Sequence, residues 1–192
     1  RLLPMRKIAN RIRQALLRVM AVGLLLVAGT CAQAQINADR VLLMGRNALY
    51  YEDYVLAIQR FNLVINAKPW QAEPYSYRGL AKFYLEDYQG GEIDCGSALE
   101  RNPYVGQYYM LRALCRINRG RYAQAEEDYG QAIRISPLDK NCWHNLVLCQ
   151  MELKEYERAD SSLAQMIRYW PKEAGQYSLK AQVALARNDS VR

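Results

Sequence analysis

Few side chains in this 192-residue sequence could carry out chemistry. His144 is the single histidine, so a histidine-dependent acid/base or triad mechanism has one candidate and no nucleophile arranged beside it. Cys142-x-His144-x4-Cys149 has the composition of a metal site. On a helix, however, residues two apart diverge by about 200°, which turns His144 away from Cys142 and argues against zinc. Cys142 and Cys149 would be separated by about 10 Å of axial rise, too far for a disulfide within one helix. No Cys-x-x-Cys pair occurs, no glycine-rich phosphate loop is visible, and Gly90-Gly91 falls at the start of an expected helix. The expectation is a non-catalytic protein without metal or cofactor.

The charge excess is local. Of 26 Lys and Arg, six (Arg1, Arg6, Lys7, Arg11, Arg13 and Arg18) lie in residues 1–34, which contain no acid. The remaining 20 face 19 Asp and Glu, so residues 35–192 carry a net charge of about +1 and offer no large footprint for a polyanion. Nucleic acid is therefore excluded as the main partner. The basic segment from Met5 to Arg18, the apolar run Val19–Ala28 and then Ala32-Gln33-Ala34 have the order of a secretory signal peptide. The run is short for a membrane span, which needs about 20 apolar residues, so membrane contact is expected only through this segment. Cleavage is expected after Ala34 and residence in the periplasm or cell envelope. An uncleaved anchor and lipidation of Cys31 are the competing readings, and Thr30 weighs against the second. Residues 1–4 precede the expected start at Met5.

A repeat organises the rest. Pro69, Pro103, Pro137 and Pro171 are spaced by 34 residues, as are Tyr54, Tyr88, Tyr122 and Tyr156. With Ala38 as position 1, position 8 reads Gly45, Gly79, Ala113, Val147 and Ala181 and position 20 reads Ala57, Gly91, Ala125 and Ala159, so small residues recur where helices would approach closely. Large groups recur at position 4 (Val41, Tyr75, Tyr109, Trp143, Tyr177) and position 28 (Ile65, Leu99, Ile133, Ile167). Positions 4, 7 and 8 share one face of a first helix, and 17, 20, 24, 27 and 28 one face of a second. Each unit is thus a helical hairpin with its turn at positions 14–16. Asp53 and Asp87 can cap the second helix, and the proline at position 32 ends it. Cys95, Cys115 and Cys149 fall at positions 24 and 10 and read as small packing residues.

Trp143-x2-Leu146, Ala57-x3-Phe61, Ala125-x3-Tyr129 and the proline column resemble the tetratricopeptide repeat, a 34-residue helix-turn-helix. The resemblance covers units 38–71, 72–105, 106–139 and 140–173, with a partial fifth at 174–192. Position 11 departs from it: the family usually has an aromatic or aliphatic residue where this chain has Ala48, Lys82, Arg116, Gln150 and Ala184. Neighbouring position 12 is expected to take over that packing. The resemblance implies an all-α fold, an α-solenoid wound as a right-handed superhelix, with first helices lining a concave groove that binds a protein or peptide.

Positions 5, 9 and 12 share a face by i, i+4, i+7 spacing and are the expected groove lining. They include Leu42, Arg46 and Leu49; Ser76, Leu80 and Phe83; Met110, Leu114 and Ile117; His144, Leu148 and Met151; and Ser178, Gln182 and Leu185. Leu80, Leu114 and Leu148 form one column, an apolar stripe suited to an amphipathic helix or extended apolar segment. Packing between neighbouring units is the competing account of that column. A carboxylate clamp, as in chaperone-tail receptors that this family resembles, would need Lys, Arg and Asn where Leu42, Tyr77, Gln107 and Leu111 stand.

Arg78 and Arg112 at position 7 coincide with Asp94 and Asp128 at position 23, which predicts a structural ion pair between the two helices of a unit. Asn188-Asp189-Ser190 has the character of a further turn and cap, so the chain is expected to continue beyond Arg192. The functional expectation is a protein-binding scaffold of the bacterial cell envelope. A self-associating module, or the binding arm of a longer enzyme or sensor, are the alternatives.

Overall fold

The computed structural model describes residues 13, 14, 16–22 and 38–189. Before residue 38 only residues 13, 14 and 16–22 are described, and they are helical; Cys31, the expected cleavage site after Ala34 and Ser190 lie outside the described residues. Among the described residues, no helix is long and apolar enough to cross a membrane, and no strand occurs.

The repeat becomes nine helices: α1 (38–50), α2 (Tyr54–Ala67), α3 (Glu73–Tyr84), α4 (Tyr88–Arg101), α5 (Gly106–Ile117), α6 (Tyr122–Ile135), α7 (Lys140–Glu152), α8 (Tyr156–Tyr169) and α9 (Ala174–Asp189). From α2 onward each helix packs on the next, and α3 also touches α5 across α4, which makes the stack an α-solenoid.

The turns inside the units obey one rule. Position 15 takes a left-handed backbone in every complete unit, at Glu52, Glu86, Gly120 and Lys154, with φ of 60–70°. The following N–H then reaches back five residues, as from Asp53 to Ala48 O at 2.9 Å and from Arg121 to Arg116 O at 2.8 Å, closing the first helix with a Schellman motif. Asp53 Oδ1 accepts from Leu56 N, and Asp87 Oδ1 from Gly90 N. Asp139, not singled out in the sequence, caps α7 through Asn141 N and Cys142 N. α6 and α8 begin at Arg121 and Glu155 without a side-chain cap.

The core is a series of layers, with a large residue at position 24: Phe61, Tyr129 and Leu163 are 0–1% exposed. In the second unit that residue is Cys95, and here α3 and α4 approach more closely. A Cβ on Gly91 would stand 2.8 Å from Cys115 Sγ and 3.1 Å from Gly79 O, so only glycine fits. The position-4 aromatics do more than fill space. Tyr75 Oη, Trp143 Nε1 and Tyr177 Oη donate to the carbonyls of Pro69, Pro137 and Pro171, at 3.1, 2.8 and 3.0 Å. Each thereby ties a first helix to the turn that ends the previous unit.

Candidate functional site

The first helices α1, α3, α5, α7 and α9 carry the expected groove residues at positions 5, 9 and 12. These positions behave differently. At position 12 Leu49, Ile117 and Met151 pack against buried clusters, as do Leu42 and Met110 at position 5, whereas Leu185 is 65% exposed. Phe83 is half-buried, edge-on to Tyr84 and Tyr88. The position-9 leucines are in none of these clusters. Leu80 and Leu114 are half-buried and Leu148 is 36% exposed. Arg46 is exposed, with its guanidinium 5.5 Å from the Tyr77 ring centroid.

Between successive first helices lie depressions that sequence spacing did not reveal. One, of about 380 Å³, is lined by Glu73, Ser76 and Tyr77 of α3 and by Gln107 and Tyr108 of α5. Another, of about 310 Å³, is lined by Asn141 and His144 of α7 and by Gln176 of α9. Both use positions 2 and 5 of one first helix and position 3 of the next. Burial, and then the charge of Glu73, push the Tyr77 phenol above its ordinary pKa, so it remains a hydrogen-bond donor at neutral pH. Apolar position-9 residues beside these polar depressions can accept apolar side chains while leaving polar partners for a peptide backbone.

No described group of three or more His, Cys, Asp or Glu side chains is placed to hold a metal ion. His144 is exposed whereas Cys142 and Cys149 are about 1% exposed. Burial raises both thiols to about 12, leaving them poor nucleophiles. Hydrogen bonding to Cys115, and then burial, push the Cys95 thiol well above its ordinary value.

Behind the groove runs a polar seam. Arg78 Nε and Nη2 grip Asp94 at 2.8 and 2.5 Å, and Arg112 grips Asp128 at 2.9 and 2.6 Å. The two carboxylates are 3% exposed. Position 11 joins them: Lys82 Nζ lies 2.9 Å from Asp94, and Arg116 Nη1 lies 2.8 Å from Asp128. It also reaches the preceding unit, where Arg116 Nε donates to Glu92 at 3.1 Å and Gln150 Nε2 to Glu126 at 2.9 Å. The family's apolar position 11 is thus replaced by a polar contact, beyond the packing that position 12 supplies. The signal was present, since position 11 is Arg or Gln after a unit whose position 21 is Glu.

Residues 117–183 match the family model described as tetratricopeptide repeat. No curated protein matches the chain. Among solved structures, the crystal structure of MamA protein superposes with a TM-score of 0.67 at 19% identity, covering 72% of this chain and 76% of that one. YrrB, a TPR protein with an unusual peptide-binding site, gives 0.69 at 12%, covering 77% and 76%. The second TPR domain of human RPAP3, in complex with an HSP70 peptide, gives 0.59 at 20%, covering 61% and 98%. Residues 117–183 are thus a tetratricopeptide-repeat segment, and the 34-residue helical pairs before it share one register and the fold of these neighbours.

Proposed function

We propose that the chain is a non-catalytic scaffold that binds an apolar peptide or amphipathic helix along Leu80, Leu114 and Leu148. The observation that carries this is the position-9 column: three leucines one repeat apart lie outside the core clusters against which Met110, Ile117 and Met151 beside them pack. Arg46, Phe83, Met110, Ile117, His144 and Met151 flank it, and the methionines give an adaptable wall. Peptide binding by YrrB and the RPAP3 domain is consistent with this reading. The ligand class differs from an acidic carboxyl-terminal tail, because Leu42, Tyr77, Gln107 and Leu111 offer no cationic clamp.

The site of action we propose is the cell envelope, reached through the leader ending at Ala34, with Cys31 not lipidated. Amino-terminal sequencing of the secreted product checks this: a mature start at Gln35 is expected, and retention of residues 5–34 contradicts it.

Peptide display on the full chain tests the binding. Enriched sequences should carry apolar residues at helical or alternating spacing, and Leu114→Glu with Leu148→Glu should weaken them by about tenfold or more. Equal binding to that variant, with its helical content intact, would remove the column from the site. Self-association is a second reading, favoured by Leu43, Met44, Val55 and Leu63, which are 42–57% exposed on the first helical pair. Concentration-dependent mass in light scattering would support it.

A further inference from the structure

Away from the groove, a cavity of about 360 Å³ opens between α4 and the α5–α6 turn. Its lining includes four guanidinium groups, Arg112, Arg116, Arg119 and Arg121, and one carboxylate, Glu92. Arg116 and Arg119 donate to Glu92, and Arg121 Nη1 lies 3.4 Å from both of its oxygens. Arg112 and Arg116 share the one remaining acid they touch, Asp128. Four cations against two carboxylates leave a surplus of two positive charges around one cavity. Burial alone would raise the Glu92 carboxyl. Its hydrogen bonds from Arg116 and Arg119 outweigh that and hold it below the usual range, so it is already counted as an anion.

A second observation concerns the cavity wall. Gly96 lies inside α4, where glycine is a poor helix residue, and close packing justifies Gly91 but not Gly96. A Cβ at Gly96 would meet nothing within 4 Å. What the missing side chain does is keep the cavity open. Gly130 stands at the same position one repeat later, also with open space, and lines a corresponding cavity of about 440 Å³. There Glu126 and Glu127 balance Arg134 and Arg158, so the second cavity has the same architecture without the charge surplus.

We propose that the first cavity binds a phosphate dianion, either the free ion or a phosphomonoester. The surplus matches the charge of a phosphomonoester near neutral pH, about −1.5 to −2. Planar guanidinium forks suit its oxygens. Arg119 and Arg121 side chains are 23% and 44% exposed, which lets an anion reach them from solvent while Arg112 and Arg116 stand behind. None of these residues belongs to positions 5, 9 or 12, so the site is independent of the groove.

Calorimetric titration of the full chain with inorganic phosphate, and separately with a short phosphoserine peptide, tests this at constant ionic strength. One saturable site is expected, weakened about tenfold in Arg121→Gln and lost in Gly96→Leu. Gly130→Leu, which fills the charge-balanced cavity, should bind normally. Equal affinity for both probes would identify the free ion as ligand, and a tighter peptide would identify a phosphorylated chain; both uphold the site. Absence of saturable binding at millimolar concentrations of either probe, or undiminished binding in Arg121→Gln and a helical Gly96→Leu chain, would overturn it.

Discussion

At the scale of single residues, the left-handed turn at position 15 has a direct energetic consequence. Glu52, Glu86 and Lys154 occupy a backbone region that costs a side-chain-bearing residue about 1 kcal/mol or more, whereas Gly120 meets it without that cost. Glu86→Gly and Lys154→Gly should therefore each raise unfolding free energy by about 1 kcal/mol, and Gly120→Ala should lower it by a similar amount, measured by urea denaturation. The Asp128 carboxylate sets the opposite expectation. Arg112 and Arg116 both converge on it at 3% exposure, so Asp128→Ala strands Arg112, leaves Arg116 with Glu92 as its one carboxylate, and should cost about 3 kcal/mol, discounted for their partial exposure. The Arg–Asp coincidence at positions 7 and 23 was legible in the sequence because both columns change together. The links from Arg116 to Glu92 and from Gln150 to Glu126 are not legible there, since they join residues 24 apart on helices of different units.

At the scale of helices, sequence spacing defined the pairs well because punctuation and periodicity agree. The expected turn at positions 14–16 and the expected caps Asp53 and Asp87 coincide with the observed ends of α1 to α4. The cap at Asp139 is not legible in the repeat because it precedes a first helix, where the pattern has no fixed capping residue. Asp139→Ala should cost about 1 kcal/mol, and Glu155→Asp should add about 0.5–1 kcal/mol by supplying the cap that α8 lacks. Thermal unfolding followed by circular dichroism checks both. The role of position 4 was only half visible. Its size marked it as core, but the hydrogen bonds from Tyr75, Trp143 and Tyr177 to proline carbonyls depend on how one unit seats on the last.

For the whole molecule, stacking buries four cysteines: Cys95, Cys115, Cys142 and Cys149 are 0–1% exposed. Iodoacetamide at pH 8 should leave them unmodified in the native chain and label them in urea, read by peptide mass spectrometry. The thiols of Cys142 and Cys149 lie near 12 in the folded chain against an ordinary 9.0, so the folded state favours their protonated form. Their contribution is fully present below about pH 9 and is lost as pH rises toward 12, so the urea midpoint should fall over that range. The solenoid and its register were legible from the repeat alone. The lining of the depressions between first helices was not, because it brings together side chains such as Ser76 and Tyr108 from successive units.

The most direct measurement of the central claim is methyl NMR of the full chain during titration with a peptide selected on it. Saturating shifts are expected at Leu80, Leu114, Leu148, Met110 and Met151, with Leu63 and Leu138 unmoved. Shifts confined to Leu43, Met44, Val55 or Leu63, or spread evenly over the chain, would contradict a ligand groove on the first helices.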